Sequence, residues 1–371
     1  MPFYHFLEEI TMEQITYNIK PRTSKIELPS KLGFGAIFTD HIFEMDYNPE
    51  NGWHNFAIKP VERLSVHPAA MFIHYGQSIF EGLKAFRTVN GEAVIFRPEN
   101  HIKRMNNSAR RLCMPQIDEA FILEALKELI SIEQGWIPTG SGESLYIRPI
   151  MFGTDEVLGV HPSRNYKFII MLSPVGAYYP EGFKPVKILM QDDYVRAVRK
   201  GVGDAKTSGN YGASLLATEI AQRLGYTQVL WLDGVEQKYL EEVGTMNIFV
   251  EFENEIATPK LTGSILPGIT RASIIQLLKE KKYTVNERLI SVDEFIEAYD
   301  KGKIKGVFGT GTAAIISPVA EVTFKDKKMI INNGEASSLA VKLFNEITEI
   351  QKGSAPDNFG WVIKVASEVT V

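Results

Sequence analysis

A continuous apolar run near the middle of the chain, residues 168–172 (Phe-Ile-Ile-Met-Leu), is followed by a segment that breaks regular structure. Such a run is typical of a strand buried on both faces. Residues 174–185 then contain three prolines and two glycines, a composition typical of a linker. At 371 residues the chain also exceeds the size at which one hydrophobic core keeps growing. We therefore expect two domains, residues 1–175 and 187–371, joined by a loop over residues 176–186.

Strand-like and helix-like segments alternate in both halves of the chain. Asp118 is a candidate N-cap, and Pro115 and Gly135 are candidate helix breaks. Strands are predicted at residues 36–40, 93–97, 144–150, 166–173, 186–191, 229–232, 247–251 and 306–308. Helices are predicted from a cap at Asn100 to Leu112 and at residues 119–132, 213–224, 272–282 and 292–300. The expected fold class is α/β (α+β) in two domains.

Composition and charge exclude several kinds of protein. The net charge of −5 argues against a nucleic-acid partner, because phosphate binding favours a basic surface. No apolar run reaches the ~18 residues that a membrane span needs, and the first ten residues lack the pattern of a secretion signal. The single cysteine, Cys113, allows no internal disulfide and is expected to be buried. We expect a cytoplasmic protein that does not bind a membrane.

The seven histidines do not form a spacing typical of a metal site, so no metal centre is predicted. No serine lies in a nucleophile-elbow pattern either, which leaves a hydrolase triad unsupported.

The most informative candidate site is the glycine-rich segment at residues 203–212, which contains Lys206 and Tyr211. Glycine allows close approach of a ligand to the backbone. A lysine held partly out of water there can lose its proton and act as an amine nucleophile. The alternative is an exposed loop with a solvated lysine.

An acidic residue, Glu242, stands at the entry of a predicted strand, where glutamate is unfavourable unless it has solvent or a partner. One interpretation is a solvated turn carboxylate. The other is an acid that pairs with a protonated ring nitrogen, as pyridoxal phosphate requires.

Two glycine- and threonine-containing turns are candidate anion sites. Thr270, in the turn at residues 266–271, is a natural N-cap, and the free N–H groups of a helix start bind phosphate. Residues 309–313 (Gly-Thr-Gly-Thr-Ala) follow a predicted strand and resemble anion-binding nests. Each is equally compatible with an ordinary cap or turn.

Arg104 lies off the apolar stripe of its predicted helix, either as a solvated side chain or as a bidentate phosphate clamp. Residues 74–84 mix aromatics and glycine and are compatible with a pocket wall or a core turn. Tyr146 and Arg148, two residues apart on a predicted strand, must face the same side.

Taken together, these segments resemble the branched-chain aminotransferases, which belong to the fold-type IV pyridoxal-phosphate enzymes. The resemblance runs in order from about Gly33 to beyond Pro318 and rests on seven segments. They are residues 74–84, 97–115, 146–149, 203–212, 242–247, 266–271 and 309–313.

The resemblance implies a small N-terminal domain and a larger C-terminal domain with the cofactor, pyridoxal 5'-phosphate, between them. It also implies a role for each matching residue. Lys206 is the catalytic residue that forms the Schiff base. The cofactor-binding positions are Arg104, Lys206, Tyr211, Glu242, Thr245, Ile269, Thr270 and Thr312. The substrate-binding positions are Phe34, Tyr75, Phe80, Tyr146, Arg148, Leu158, Val160, Thr245 and Ala313.

The implied reaction transfers the amino group of L-leucine, L-isoleucine or L-valine to 2-oxoglutarate, so the partners are small-molecule substrates. Leu158 and Val160 match a loop that closes the neighbouring subunit's site in this family, which implies a homodimer. Two alternatives remain at this point. One is another fold-type IV enzyme, such as a D-amino-acid transaminase or an aminodeoxychorismate lyase, and the other is a non-catalytic cofactor-binding or scaffolding protein.

Overall fold

The structure is a computed structural model, and it describes residues 12–20, 27–177 and 183–366. These residues form two compact units. The first comprises the described parts of Met1–Ala177 and Ile350–Val371, and the second the described part of Tyr178–Glu349. Much of the predicted linker, residues 178–182, lies outside the described residues.

Strands supply most of the framework of both units. They are β1 Thr16–Tyr17, β2 His41–Asn48, β3 Gly52–Pro60, β4 Ser78–Phe80, β5 Leu83–Arg87, β6 Ala93–Phe96, β7 Ser144–Gly153, β8 Tyr166–Val175, β9 Val186–Gln191, β10 Gln228–Leu232, β11 Leu240–Val243, β12 Met246–Phe252, β13 Ile256–Pro259, β14 Val285–Arg288, β15 Ile304–Gly311, β16 Ile315–Phe324, β17 Lys327–Ile330 and β18 Val362–Lys364.

The helices are α1 Met71–Tyr75, α2 Pro98–Arg111, α3 Glu119–Glu133, α4 Ser208–Arg223, α5 Ile269–Glu280, α6 Val292–Asp300 and α7 Ser338–Gln351. Short 3-10 turns occur at Met12–Gln14, Gln134–Trp136 and Asn332–Gly334.

The first unit is built on a sheet in the order β1-β3-β2-β8-β7-β5-β6-β18, with β4 paired to β7. Apolar residues on one face of this sheet, including Leu83, Ala85 and Ile147, share a hydrophobic core with α2 and α3. Successive residues of a strand point to opposite faces. The opposite face of β7 therefore carries Tyr146 and Arg148.

The second unit contains a sheet in the order β11-β10-β9-β16-β15-β12-β13-β14, with β17 paired to β16. A further pairing between β11 and β12 closes six of these strands into a ring. The interior is apolar, with Ile188, Leu230, Ile248 and Val322 fully or almost fully buried. This ring fixes the positions of the strand ends and turns that carry the candidate site.

The mixed α/β class agrees with the sequence prediction, and several elements match it closely. The Asp118 side chain accepts from the backbone N–H of Phe121 and so caps α3 as predicted. Strand β9 and helix α6 have the predicted bounds.

Several local predictions are wrong. Residues 36–40 form no strand, and the strand begins at His41 instead. Helix α2 begins at Pro98 because proline is preorganised for the first helical turn, so Asn100 is not its cap. Helix α4 begins at Ser208 and converts the second half of the predicted 203–212 loop into helix. Gly309–Gly311 likewise belong to β15, which leaves only a short turn before β16.

Two further corrections concern the cysteine and the C-terminal segment. Cys113 is exposed, and it lies in the turn just after α2 with a left-handed conformation (φ 55°) that is common where a helix ends. The second predicted domain extended to residue 371, but β18 pairs with β6 and joins the first unit. The other predicted domain boundaries stay a prediction. No helix in the described part of the chain is long and apolar enough to cross a membrane.

Candidate active site

The amine of Lys206 lies against the phenol of Tyr211 at the start of α4. Lys206 Nζ donates to the Tyr211 hydroxyl at 2.7 Å and lies 5.1 Å from the centre of its ring. Both side chains are half-buried. Asn210 holds the preceding turn by donating to the carbonyls of Val202 and Ala205. The lysine is therefore fixed by its surroundings rather than being a freely solvated side chain.

A buried carboxylate, Glu242, lies on β11 with only 3% of its surface exposed. Its Oε2 forms an ion pair of 2.5 Å with Nη2 of Arg196, and Nδ2 of Asn247 donates to its Oε1 at 3.3 Å. The interpretation of Glu242 as a solvated turn residue is therefore wrong. Its strand ends at Val243 and is followed by Gly244, whose φ of 57° favours glycine.

A small pocket in the second unit brings several of these groups together. Three predicted site residues, Tyr211, Glu242 and Thr245, contribute to its wall. The other lining residues are Arg196, Asn210, Ser214, Gly244 and Leu266. Because Lys206 donates to Tyr211, the amine, the phenol and the buried acid form one connected site.

A second buried acid, Glu241, precedes Glu242 on the same strand. Burial raises the pKa of Glu241 to about 7, opposed by the hydrogen bond from Ser264. Its Oε2 is buried without a hydrogen-bond partner among the described residues. Arg196 also acts on this carboxyl electrostatically and favours its charged form. One arginine, Arg196, therefore acts on both acids of this strand, through an ion pair with Glu242 and through its charge on Glu241.

The predicted phosphate positions of this unit lie at a helix start and at a turn. Helix α5 begins at Ile269 with Gly268 as its N-cap, so Thr270 is the second helical residue and not the cap. Asn247 joins this helix start to Glu242, because its Nδ2 also donates to the Leu266 carbonyl at 2.9 Å. Thr312 and Ala313 lie in the turn between β15 and β16. A free helix N-terminus suits an anion.

In the first unit, Arg104 is buried and paired. Its Nε and Nη2 donate to the two carboxylate oxygens of Glu81 at 2.7 and 2.8 Å. His101 Nδ1 lies 2.8 Å from the same carboxylate. Burial alone would raise the pKa of Glu81, but Arg104 and His101 hold it well below its usual range. Arg104 is therefore not solvated, and one edge of its guanidinium is committed to Glu81.

Four predicted substrate residues gather on the sheet face opposite the helices. Arg148 Nη2 donates to the Tyr146 hydroxyl at 3.0 Å, which confirms that the two side chains share a face. The guanidinium of Arg148 lies 4.8 Å from the ring centre of Phe80, and the rings of Phe34 and Tyr146 are 4.9 Å apart. The Tyr146 hydroxyl packs on Gly82 so closely that a Cβ there would overlap it. This wall combines apolar rings with one cation.

Two further predicted substrate residues of this unit, Tyr75 and Leu158, form a separate contact. The Tyr75 hydroxyl donates to the carbonyl of Leu158, which holds the loop after β7 against α1. The side chains of Leu158 and Val160 are 67% and 81% exposed. They do not contribute to the Phe34–Tyr146 wall through any contact seen in the described residues.

Sequence reasoning missed Arg196 and Glu81, the two residues that pair with the key charged groups. Arg196 lies in a basic run, residues 196–200, that is indistinguishable from a solvated surface by composition. Glu81 lies within the aromatic segment at residues 74–84, and its distance from Arg104 along the chain hides the pair. Only the observation that a buried charge needs a partner could have suggested a search for them.

Comparisons with known proteins identify related sequences and folds. Residues 78–322 match the family model described as "Amino-transferase class IV". Branched-chain-amino-acid aminotransferase 2 of Bacillus subtilis is 52% identical over 354 residues, which cover 95% of this chain and 96% of that protein. The probable branched-chain-amino-acid aminotransferase of Staphylococcus aureus strain N315 is 54% identical over 351 residues, covering 94% of this chain and 96% of that protein.

A solved structure gives the same result. The branched-chain amino acid aminotransferase of Escherichia coli matches with a TM-score of 0.74 at 29% identity, covering 88% of this chain and all of that one. A second solved enzyme of this name, from T.th. and determined with pyridoxamine 5'-phosphate, matches with a TM-score of 0.75 at 30% identity. That match covers 89% of this chain and 100% of the T.th. chain.

Proposed function

Because this chain belongs to the class IV amino-transferase family, we propose that it transfers the amino group of L-leucine, L-isoleucine and L-valine to 2-oxoglutarate. The products are the branched-chain 2-oxo acids and L-glutamate. The observation that carries this function is the connected site of Lys206, Tyr211 and Glu242, with its 2.7 Å contact between amine and phenol. Relatives at more than half identity bear the name of this activity.

The donor groups of the site fit pyridoxal 5'-phosphate. Lys206 offers an amine, Tyr211 a hydroxyl and Glu242 a buried carboxylate, and the latter two line one pocket. When bound, this cofactor supplies an aldehyde that condenses with amino groups and a ring that takes up negative charge from the substrate α-carbon. The solved relative with pyridoxamine 5'-phosphate supports the assignment.

Lys206 is the catalytic residue of the proposal. Its amine holds the cofactor between turnovers and, once released, accepts the proton from the substrate α-carbon. Tyr211 accepts a hydrogen bond from this amine and so orients it.

The other proposed cofactor residues bind the phosphate of the cofactor or act on its ring nitrogen. Glu242 holds a proton at the ring nitrogen. Its burial and its ion pair with Arg196 support this role. Ile269 and Thr270 offer the N–H groups of the first turn of α5 to the phosphate. Arg104, Thr245 and Thr312 complete the proposed cofactor set.

The substrate residues must accept both an apolar side chain and the distal carboxylate of glutamate. Phe34, Phe80 and Tyr146 provide an aromatic wall, and Arg148 provides a cation on the same wall. A hydrophobic pocket discriminates one methylene by only ~1–3 kcal/mol, so leucine, isoleucine and valine should all react. Tyr75 and Ala313 are the further proposed substrate contacts.

A homodimer and a cytoplasmic location are part of the proposal. The high exposure of Leu158 and Val160 supports the dimer, because two neighbouring apolar side chains are then available to a second copy.

Steady-state kinetics test this function. We expect ping-pong kinetics with L-leucine and 2-oxoglutarate and little turnover of D-alanine. Strong preference for D-alanine would instead indicate a D-amino-acid transaminase, an alternative that the named relatives do not favour. A protein without bound cofactor or turnover would contradict the proposal as a whole.

A further inference from the structure

Arg196 is a basic side chain in direct ion-pair contact with Glu242. It is almost completely buried, with 8% of its side chain exposed. A buried arginine is costly unless its charge and its N–H groups are satisfied. The Glu242 carboxylate satisfies the charge at 2.5 Å.

The same guanidinium also fixes two neighbouring segments. Its Nη2 donates to the carbonyl of Gly203, three residues before Lys206, at 3.0 Å. It also donates to the carbonyl of Ser264 at 2.6 Å. Gly203 and Ser264 are in close contact, since a Cβ at Gly203 would overlap that carbonyl oxygen. Arg196 therefore ties the lysine segment and the approach to α5 to the buried acid.

Other charged groups around Glu242 do not replace this contact. Arg271 on α5 acts on Glu242 at longer range, but its Nη2 donates to Glu287 and to the carbonyl of Pro259. Glu241, the neighbouring acid on β11, opposes a negative charge at Glu242. Tyr211 and Lys206 lie on the α4 side of the pocket. Arg196 is thus the group best placed to determine the proton affinity of this carboxylate.

We propose that Arg196 is a positioning residue that keeps the proton shared between Glu242 and the cofactor on the ring nitrogen rather than on the carboxylate. A cation in contact with a carboxylate lowers its affinity for a proton. Without Arg196, the buried Glu242 would be the stronger base and would take that proton, and the ring would accept less charge from the substrate. This inference rests on the proposed function, and it assigns to Arg196 no direct contact with substrate or cofactor.

The test measures the protonation state of the cofactor's ring nitrogen directly. The holoenzyme is loaded with pyridoxal 5'-phosphate carrying ¹⁵N in the ring, and the ¹⁵N chemical shift is recorded from about pH 6 to about pH 9, on either side of neutrality. Wild type should show a protonated nitrogen throughout. Arg196→Gln should shift the signal towards that of a neutral pyridine, with kcat lowered by about ten-fold, the scale of a one-unit difference in pKa.

Two variants separate this role from a structural one. Arg199→Gln, at a half-exposed arginine three residues away that pairs with Glu236, should leave the shift unchanged. Arg196→Lys restores a cation that titrates when buried. Its ring nitrogen should therefore lose the proton at a lower pH than in wild type, and this variant serves if Arg196→Gln does not fold.

The possible outcomes are distinct. A nitrogen that stays protonated in Arg196→Gln, or an Arg196→Lys profile identical to wild type, overturns the role of Arg196 while leaving the proposed function intact. A wild-type protein that binds no cofactor contradicts the proposed function itself.

Discussion

Lys206 and Tyr211, five residues apart in sequence, meet through a 2.7 Å hydrogen bond because the chain enters helix α4 between them. Residues on the first turn of a helix lie close to the segment that leads into it, so the start of α4 brings the phenol back to the amine. The contact places the proposed catalytic amine beside the pocket that contains Glu242. A lysine that is held in this way has a defined direction in which to react.

Replacing Lys206 with alanine should abolish turnover and the visible absorbance of the lysine-bound cofactor, because the variant lacks the amine that Tyr211 holds beside the pocket. Lys279→Ala, at an exposed position on α5, is the matched control and should retain both. Steady-state assays and absorbance spectra of the purified variants give the result. Turnover of Lys206→Ala at the wild-type rate would contradict the assignment.

Glu242→Gln should lower kcat by about 100-fold or more while weakening cofactor binding much less, on the scale of general acid–base effects. The amide keeps the shape of the side chain but cannot hold a proton at the ring nitrogen. The control, Glu236→Gln, alters a half-exposed carboxylate that pairs with Arg199. Equal losses in kcat and in cofactor affinity for Glu242→Gln would indicate a purely structural carboxylate.

Arg148→Met should raise KM for 2-oxoglutarate and L-glutamate by about 10-fold, as expected for the loss of a charged hydrogen bond, and affect L-leucine much less. Methionine keeps an apolar contact with Phe80 but removes the cation from the wall. Arg164→Met, at an exposed arginine of the same unit, should change neither KM. An equal increase in KM for leucine and 2-oxoglutarate would show that Arg148 does not distinguish the two substrates.

The buried carboxyl of Glu241 should make folding stability depend on pH. Its pKa is raised from 4.5 to about 7, so the protonated acid is favoured in the folded state. The contribution of Glu241 to folding stability is therefore fully present below about pH 4.5 and is lost as the pH rises through about 7. Glu241→Gln should flatten this decline, as measured by urea unfolding of the cofactor-free protein at about pH 5 and about pH 8, on either side of the folded-state pKa. Glu253→Gln, at an exposed acid paired with Lys303, should follow wild type, and a Glu241→Gln profile as steep as wild type would contradict this assignment.

The elements that local sequence signals specify were predictable. Asp118 caps α3 because its side chain reaches an N–H three residues away, and such short-range chemistry is visible in the sequence. The start of α4 was not predictable, because Gly209 and Gly212 disfavour a helix and only the tertiary structure overrides that preference. The same limit explains β18, since its pairing with β6 joins segments far apart in the chain.

The candidate site also combines features that the sequence predicts with features that only the structure shows. Tyr146 and Arg148 share a face because of strand geometry, and their spacing predicted it. The pairs Arg196–Glu242 and Arg104–Glu81 depend on contacts between distant segments, which no spacing rule encodes. Resemblance to a known family identified Glu242 and Arg104, whereas their partners became visible only in the structure.

The half-reaction with L-leucine tests the central claim most directly. The purified protein is mixed with L-leucine alone, and its visible absorbance and the released 2-oxo acid are measured before 2-oxoglutarate is added. We expect the visible band to fall with release of about one 2-oxo acid per site and to recover on addition of 2-oxoglutarate. A protein with no visible band, or one whose band responds to D-alanine and not to L-leucine, would contradict the account.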